Sequence, residues 1–464
     1  MTRLEPGAHH AIVIGASMAG LLATRALADH YDDVTVVERD ALPAGPGARA
    51  GVPQARHIHI LLMRGQRLLE QQFPGIQAEL VAAGAPLLSL TRDLRLFQQG
   101  RWSPRCESDL AVRTFSRDLL EALVRQHLRG NGRVQFLEQH AATGLLASAD
   151  RRAVVGVRVQ ARGSGQVLGP PRDLPAALVV DASGRESRTP QWLAAIGATP
   201  PTETRIDSGL AYASRWYRRP ATTPGTWQAV VVNGQAPHEP YGGGVYPVEG
   251  NRWIVSLGGF GGVAPPTDEA GFIAFARMLP RPVVYDAIAD AEPLTPIYGY
   301  RRTANRLRHY ERLATMPDGL VVLGDAVCAF NPVYGQGMTV AAMGAEVLAG
   351  ILRDHPRTTP DGTLTGMSRQ FQRRLARVNA TPWLLATGAD LSWPTTVGGH
   401  GSRRDRLVQH YFERVVEAMA DDPRVFRVFL EVVHLLRPPA ALFHPTVVAA
   451  VSRQALRALT LTGW

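Results

Sequence analysis

The stretch AIVIGASMAGLLATRALADHYDDVTVVERD, residues 11–40, decides the fold of this chain. Its first four residues form an unbroken apolar run, the pattern of a strand buried on both faces of a parallel sheet. Gly15 and Gly20 bracket the turn that follows, with Ser17, Met18 and Ala19 between them. Leu21, Leu22, Ala26 and Leu27 then recur at helical spacing, and residues 34–37 return to a strand. Glu38 ends that strand, about 20 residues beyond the first glycine. This is the βαβ dinucleotide pattern, G-x-G-x-x-G plus a distant acid, with serine in place of the middle glycine. That glycine normally lets a pyrophosphate approach the backbone, and serine is the next smallest choice. The helix start still offers free N–H groups and about half a positive charge to the phosphates. Gly15, Ser17, Met18, Ala19 and Gly20 are therefore the expected phosphate turn. Glu38 is expected to accept the adenosine ribose hydroxyls, with Arg39 beside it. The pattern leaves FAD and NAD(P) equally open.

A second match, GFGGVA at 259–264, lacks that context, because Pro265 and Pro266 follow where a helix should run. It reads as a glycine-rich loop. The chain has 464 residues, 45% hydrophobic and 19% charged, the balance of a globular protein with two or three domains. No uncharged apolar run approaches the roughly 18 residues of a spanning helix, and no signal segment precedes the first strand. The net charge is +10, yet all 50 basic residues are arginine, scattered in pairs such as Arg151-Arg152 and Arg403-Arg404. Scattered pairs read as compositional bias rather than as a nucleic-acid face. With no lysine, a P-loop, a Schiff base and a lysine chloramine are all excluded. Cys106 and Cys328 lie far apart and make neither CxxC nor metal spacing, which fits a reducing cytoplasm.

Three later stretches have the makings of a site for the far end of FAD. RTFSRDLLEALVRQHL at 113–128 sets Arg113 and Arg117 at a helix start. ALVVDASGRESRTPQWL at 177–193 supplies a buried strand, Asp181 and a turn at Ser183-Gly184. GLVVLGDAVCAFNPVYGQGM at 319–338 supplies another strand, Asp325 and a glycine-lined helix start. A charged residue at a buried strand end calls for a partner.

In this order the stretches resemble the class A, p-hydroxybenzoate-hydroxylase type of FAD-dependent monooxygenase. Within that group GVPQARHIHILLMRGQRLLEQQFPG (51–75), SGLAYASRWYRRP (208–220), residues 302–338 and PWLLATGAD (382–390) resemble the FAD epoxidases of polyether-ionophore pathways. The resemblance covers about residues 11–390 and departs at Ser17 and after His400. It implies a Rossmann-type FAD-binding domain with an interleaved antiparallel-sheet substrate domain and a C-terminal helical region, an α/β fold. It further implies that Asp325 holds a ribityl hydroxyl and that Pro332, Gly335, Gly337 and Met338 face the flavin pyrimidine. Arg56 and His57, on a loop passing close to the flavin, become cofactor contacts together with Arg117, Asp181 and Gly184.

The expected boundaries are 1–200 for the first FAD-binding part, with 86–104 joining the substrate sheet, 201–299 for that sheet, 300–380 for the second FAD-binding part and 381–464 for the helices. The hairpin GGGVYPVEGNRWIVSLGG turns at Glu249-Gly250-Asn251, and DEAGFIAFARML forms a short helix. The tail 424–459 is amphipathic and basic; it is expected to cap the core or cover a pocket rather than lie on a membrane.

His57 and His59 alternate along RHIH, but no further ligands sit at metal spacing. Catalytic residues cannot be named. Tyr212 and Tyr246, on the sheet, are candidate substrate contacts, and Trp216 and Cys328 read as packing. The reaction expected from the resemblance is oxygen transfer from a flavin C4a-hydroperoxide to an alkene of a polyketide or terpenoid. It needs O2 and electrons from NAD(P)H or a reduced-flavin partner such as a separate reductase. The alternatives are an aromatic or polyketide hydroxylase, which would use a base, and an FAD-dependent reductase on the same fold. The expected partner is a hydrophobic small molecule, not nucleic acid.

Overall fold

A computed structural model describes residues 9–163, 166–221, 225–354, 364–399 and 403–461. Five strands pair in parallel in the order Leu320–Val322, Leu178–Asp181, His10–Ile14, Asp33–Val37, Val134–Leu137. Their interior residues explain the arrangement. Val34, Val36, Leu178, Val179, Val180, Leu320, Val321 and Val322 are wholly buried, as a parallel sheet covered on both faces requires. The helix Met18–Ala28 crosses from the first strand to the second, and the helix Gly337–Asp354 packs along it. The two glycine-lined helix starts, more than 300 residues apart in sequence, therefore lie on one side of the sheet.

The second large sheet has seven strands, ordered Tyr298–Tyr300, Ala211–Arg218, Arg252–Gly259, Tyr241–Val248, Ala229–Val232, Leu94–Gln98, Arg101–Trp102. The hairpin turns at Glu249-Gly250-Asn251, where Gly250 and Asn251 both take positive φ. One detail departs from the expected antiparallel sheet: Leu94–Gln98 runs parallel to Ala229–Val232. Leu87–Ser89 also leaves this sheet and pairs with Ala111–Arg113. Leu94–Gln98 enters the sheet from a distant part of the chain, so no hairpin dictates its direction.

Strand alternation splits the seven-stranded sheet into two faces. Ala213, Tyr217, Val230, Val232, Trp253 and Val255 face the helices Glu269–Arg277 and Val283–Ile288. Leu94, Leu96, Ala229 and Tyr246 face the opposite way, toward the C-terminal helices Arg403–Met419, Pro423–Val433 and Pro445–Leu461. Val425 and Phe426 of the tail are 1% and 0% exposed, so the amphipathic stretch caps this face. The helix Met367–Asp390 packs on the strand Leu320–Val322 and meets the helix Arg403–Met419, continuous across position 380 despite the internal Pro382. The GFGGVA stretch is a loop, with Gly261 and Gly262 at positive φ and no helix before Glu269.

Candidate functional site

The phosphate turn is built by contact. Gly15 has φ +100°, and a Cβ there would fall 2.8 Å from the Ala182 carbonyl; a Cβ on Gly20 would fall 1.8 Å from the Gly15 carbonyl. Only glycine fits either place. Ser17 differs, with an ordinary extended backbone at φ −91°. Its hydroxyl does not cap the helix but accepts from Arg117 Nη2 at 2.8 Å. The first turn of the helix thus keeps its N–H groups free of a side-chain cap and carries no acid, which suits a phosphate. Met18 is buried at 2% exposure and offers backbone only, and Ala19 backs onto Gly324, where a Cβ would meet its methyl at 2.6 Å.

Glu38 is 5% exposed and largely engaged by the protein. Its Oε2 accepts from Ala16 N–H at 2.8 Å and pairs with Arg49 at 3.0 Å, and Oε1 accepts from Asp40 N–H at 3.0 Å. One lone pair on Oε1 is left for a ribose hydroxyl. Arg39 stands exposed at the rim. Beneath the turn lies an ion lattice that the sequence reading missed. Arg49 pairs with Glu121 at 2.8 Å and Asp40 at 3.4 Å and donates to the Ala16 carbonyl at 2.9 Å. Glu121 also meets Arg117 and Arg125, each at 3.3 Å. Burial lowers the pKa of Arg117 and Arg125; for Arg49 burial works the same way, but Glu121, Glu38 and Asp40 outweigh it and the net shift is upward. The spacing of Arg117, Glu121 and Arg125, four residues apart on one helix, was the available signal.

Asp181 ends its strand, Asp325 lies in the 3-10 turn after the neighbouring strand, and the two live differently. Asp181 is wholly buried, with Oδ1 accepting from Ser183 N–H at 2.9 Å and from the Ser183 hydroxyl at 2.6 Å. Its Oδ2 accepts from Ser187 and from Thr189 Oγ1, the latter at 2.6 Å. These donors come from its own loop, so Asp181 shapes the turn at Gly184, where φ is +82°. The Asp325 side chain is 40% exposed, and among the described residues its one ion-pair partner is the Arg185 Nε at 3.9 Å. The expected buried charge is therefore a half-open one. Arg185 itself is taken by the Ala304 and Phe330 carbonyls. A Cβ on Gly337 would meet only the Asp325 Oδ1, at 3.9 Å, so helix start and carboxylate face a shared open space. That space beside an unsaturated acceptor fits a polyhydroxyl chain such as the ribityl of FAD.

The loop before that helix is held rigid. Pro332 starts the 3-10 turn Pro332–Tyr334, and Gly335 closes it at φ +64°. Met338 is buried in the core, leaving its backbone alone for a cofactor. Behind the loop sits Asp390, also missed by the sequence reading and 0% exposed. It accepts from Asn305 Nδ2 at 2.6 Å, Asn331 Nδ2 at 3.0 Å and Tyr334 Oη at 2.7 Å. Burial nevertheless raises its pKa.

On the other side of the loop opens a cavity of about 1820 Å³. Pro332, Gly335, His57, Tyr212, Tyr246 and Ser256 line it, and Phe429 and Phe443 of the tail close its far side. Both tyrosines proposed as substrate contacts are therefore on its wall. His57 Nδ1 lies 2.8 Å from the Ser214 hydroxyl, which bonds in turn to Ser256. Its ring meets Tyr212 edge-on at 4.7 Å. Burial lowers the His57 pKa to about 4, helped by Arg56. His59, whose Nδ1 lies 3.1 Å from the His57 carbonyl, is lowered to about 3, again by burial first. Burial also pushes Tyr212 and Tyr246 up. Arg56 stacks over Tyr298 at 4.4 Å, and its carbonyl accepts from Trp216 Nε1 at 3.0 Å, so it braces the loop against the sheet. Arg113 donates to the Ala85 carbonyl at 3.1 Å. Cys328 is buried at 1% exposure and its thiol pKa is raised by that burial. Among the described residues no three His, Cys, Asp or Glu gather at metal spacing, and no helix is long and apolar enough to cross a membrane.

This geometry agrees with what the chain is similar to. Protein Rv3254 of Mycobacterium tuberculosis is 33% identical over 431 residues, 92% of this chain and 90% of that protein. The flavin-dependent brominase Bmp2 superposes at TM-score 0.64 with 14% identity, covering 96% of this chain and 100% of that one. PqsL, described as a probable FAD-dependent monooxygenase from Pseudomonas aeruginosa, gives 0.58 with 18% identity, covering 82% and 97%. Residues 9–365 match the family described as FAD binding domain, and the chain belongs to that family as an FAD-dependent oxidoreductase.

Proposed function

We propose that this chain is an FAD-dependent monooxygenase that epoxidises an alkene in a polyketide or terpenoid. When bound and reduced, FAD turns O2 into an electrophilic oxygen donor. The chain's own work is to hold the ribityl chain at Asp325, to present the backbone of Gly335 and Gly337 to the ring, and to position an apolar substrate in a dry cavity. One observation carries the epoxidase reading: burial disfavours the charged forms of three rings on the wall beside the glycine loop, which makes them weak proton carriers. His57 has its pKa lowered to about 4, and burial raises Tyr212 and Tyr246. A π bond attacks without deprotonation, so it needs no base there. The cavity exceeds the roughly 300–1,000 Å³ of ordinary ligand sites, which suits a flavin ring plus a long substrate. The absence of lysine from all 464 residues argues against halogenation through a lysine chloramine.

The second reading is hydroxylation of an aromatic or polyketide substrate. The relay His57–Ser214–Ser256 favours it, because a phenol proton could leave along it. Electrons come from NAD(P)H or from a separate reductase, and two unpaired cysteines fit a cytoplasmic enzyme. Turnover of an unsaturated polyketide and terpenoid panel under labelled O2, across pH, separates the readings. Epoxide carrying one labelled oxygen, with parallel pH profiles for wild type and His57→Gln, supports epoxidation. Product without label, or loss of a pH limb in the variant, overturns it.

A further inference from the structure

The strand Ala211–Arg218 turns Tyr212, Ser214 and Trp216 to one face of the seven-stranded sheet, and the strand Arg252–Gly259 sets Ser256 directly opposite Ser214. Both serines therefore point away from Ala213, Val255 and Leu257, which pack with the helices Glu269–Arg277 and Val283–Ile288. The loop of His57 lies against the serine face. His57 Nδ1 is 2.8 Å from the Ser214 hydroxyl, which bonds in turn to Ser256, and Ser256 Oγ accepts from Ile58 N–H at 3.4 Å. Ser214 is wholly buried, and among the described residues its hydroxyl meets only His57 and Ser256.

The ends of this chain differ from its middle. Ser256 is half-buried and lines the cavity, and His57 lines it too. Nε2 of His57 has no partner among the described residues and is not sealed in as a buried unpaired atom, so it opens on the cavity. A proton count then fixes what the cavity meets. The neutral imidazole carries one N–H and each hydroxyl one O–H, whereas the two links of the chain take one proton each. One donor is left over. It stands at one end, on Nε2 or on Ser256, while the other end presents a lone pair. Both arrangements make the same number of bonds, so they lie close in energy.

A charged ring is costly here. Burial lowers the His57 pKa to about 4, helped by Arg56, and the neighbouring His59, Tyr212 and Tyr300 bring no negative charge to offset it. The ring can therefore gain a proton on one nitrogen only as it gives one from the other.

We infer that His57, Ser214 and Ser256 form a proton relay with both ends on the cavity wall, which moves a proton between two oxygen atoms held in the cavity without forming a charge. Nε2 takes a proton from a ligand O–H while Nδ1 gives its own to Ser214. Ser214 passes its proton to Ser256, and Ser256 delivers its proton to a second oxygen. Every proton gained is matched by one lost, and no atom is oxidised or reduced. The reverse pass, through water in the cavity, restores the start. Ser214, out of reach of any ligand, acts as a positioning residue. Use of the relay in oxygen transfer rests on the monooxygenase reading; the relay itself does not.

The test compares FAD-loaded wild type, Ser256→Ala and Ser256→Thr, each labelled with 15N at the histidine ring nitrogens, by NMR at neutral pH. The His57 signals are those missing from His57→Gln. Wild type and Ser256→Thr are expected to show the averaged shifts of two neutral tautomers. Ser256→Ala leaves the Ser214 hydroxyl one acceptor, Nδ1, and should show the Nε2–H form alone. One tautomer common to all three proteins, or an imidazolium at neutral pH, overturns the proposal. In single turnover of a panel substrate, Ser256→Ala should slow oxidation roughly a hundredfold and lose the multi-proton dependence on the fraction of D2O, and Ser256→Thr should restore both. The same D2O dependence in Ser256→Ala as in wild type also overturns it. Failure of the monooxygenase reading looks different: the tautomer pattern stands while no panel substrate gains labelled oxygen from O2.

Discussion

The floor beneath the fingerprint turn and the wall of the cavity both bury polar groups, and they do so in opposite ways. Under the turn, Arg49, Arg117 and Arg125 meet Glu38, Asp40 and Glu121, so each buried charge has an opposite charge within 3.4 Å. On the cavity side burial is met by neutrality, with His57 held to a pKa of about 4. The reason is desolvation: a buried charge must find a fixed counter-charge or lose its proton. The cofactor end can use fixed counter-charges because its ligand is constant. The cavity wall beside the glycine loop carries buried rings with no such counter-charges.

Breaking the charged floor should cost most. Arg49→Leu leaves Glu38, Asp40 and Glu121 short of a partner, and removing one member of a buried pair costs roughly 3–5 kcal/mol. Urea unfolding of the FAD-free protein should show that loss together with poor FAD retention. A loss below about 1 kcal/mol would mean that the lattice does not hold the turn.

The neutral side is probed by acid. His57, His59 and His434 all have folded pKa values below the ordinary 6.5, His434 at about 4 through burial. The unfolded chain binds protons on these rings first, so their stability is complete above pH 6.5 and is lost as pH falls toward 4. Near pH 5.5 each ring should cost about 1 kcal/mol. His434 Nδ1 lies 3.2 Å from the Met63 N–H it accepts, fastening the tail to the helix Met63–Gln72. Gln can accept the same bond without titrating. In His434→Gln the fall in the urea midpoint between pH 7 and 5.5 should therefore shrink, and an unchanged slope would remove His434 from the account.

Asp390→Asn tests the anchor behind the glycine loop on the cavity side. An amide there turns one NH2 toward the donors Asn305, Asn331 and Tyr334, at a cost of about 1–3 kcal/mol. The loop 331–335 should also loosen, seen as faster amide exchange there. Exchange unchanged from wild type would make Asp390 a local packing group only.

The smallest effect on stability is expected at Asp325. Its side chain is 40% exposed with, among the described residues, a single 3.9 Å ion pair, so Asp325→Ala should shift unfolding of the FAD-free protein by no more than about 0.5 kcal/mol. FAD affinity should nevertheless fall roughly tenfold to a hundredfold. Full FAD occupancy at limiting FAD would detach Asp325 from the ribityl chain.

What could be read in the sequence was local. The strand–glycine–helix–strand–acid order of residues 11–40, the second glycine-lined helix start and the hairpin at 249–251 follow from spacing, because backbone geometry ties those patterns to short segments. Glu121 was half-legible through its arginines at four-residue spacing, whereas Arg49 sits in a Gly-Ala-Pro loop whose path no periodicity reveals. Asp325 was read as a buried charge, since a strand end after Leu320–Val322 looks buried from sequence alone. Its openness depends on Arg185 turning to two carbonyls contributed by other segments. The same holds for Ser17: its departure from glycine is tolerable because φ is −91° there and Arg117, 100 residues away, takes the hydroxyl. By itself the sequence determined a dinucleotide-binding α/β chain with an attached sheet. Only the tertiary structure decided which carboxylates are saturated and which histidines are buried with lowered pKa values. Those properties depend on burial and on partners far along the chain, and both exist only after the long-range contacts have closed.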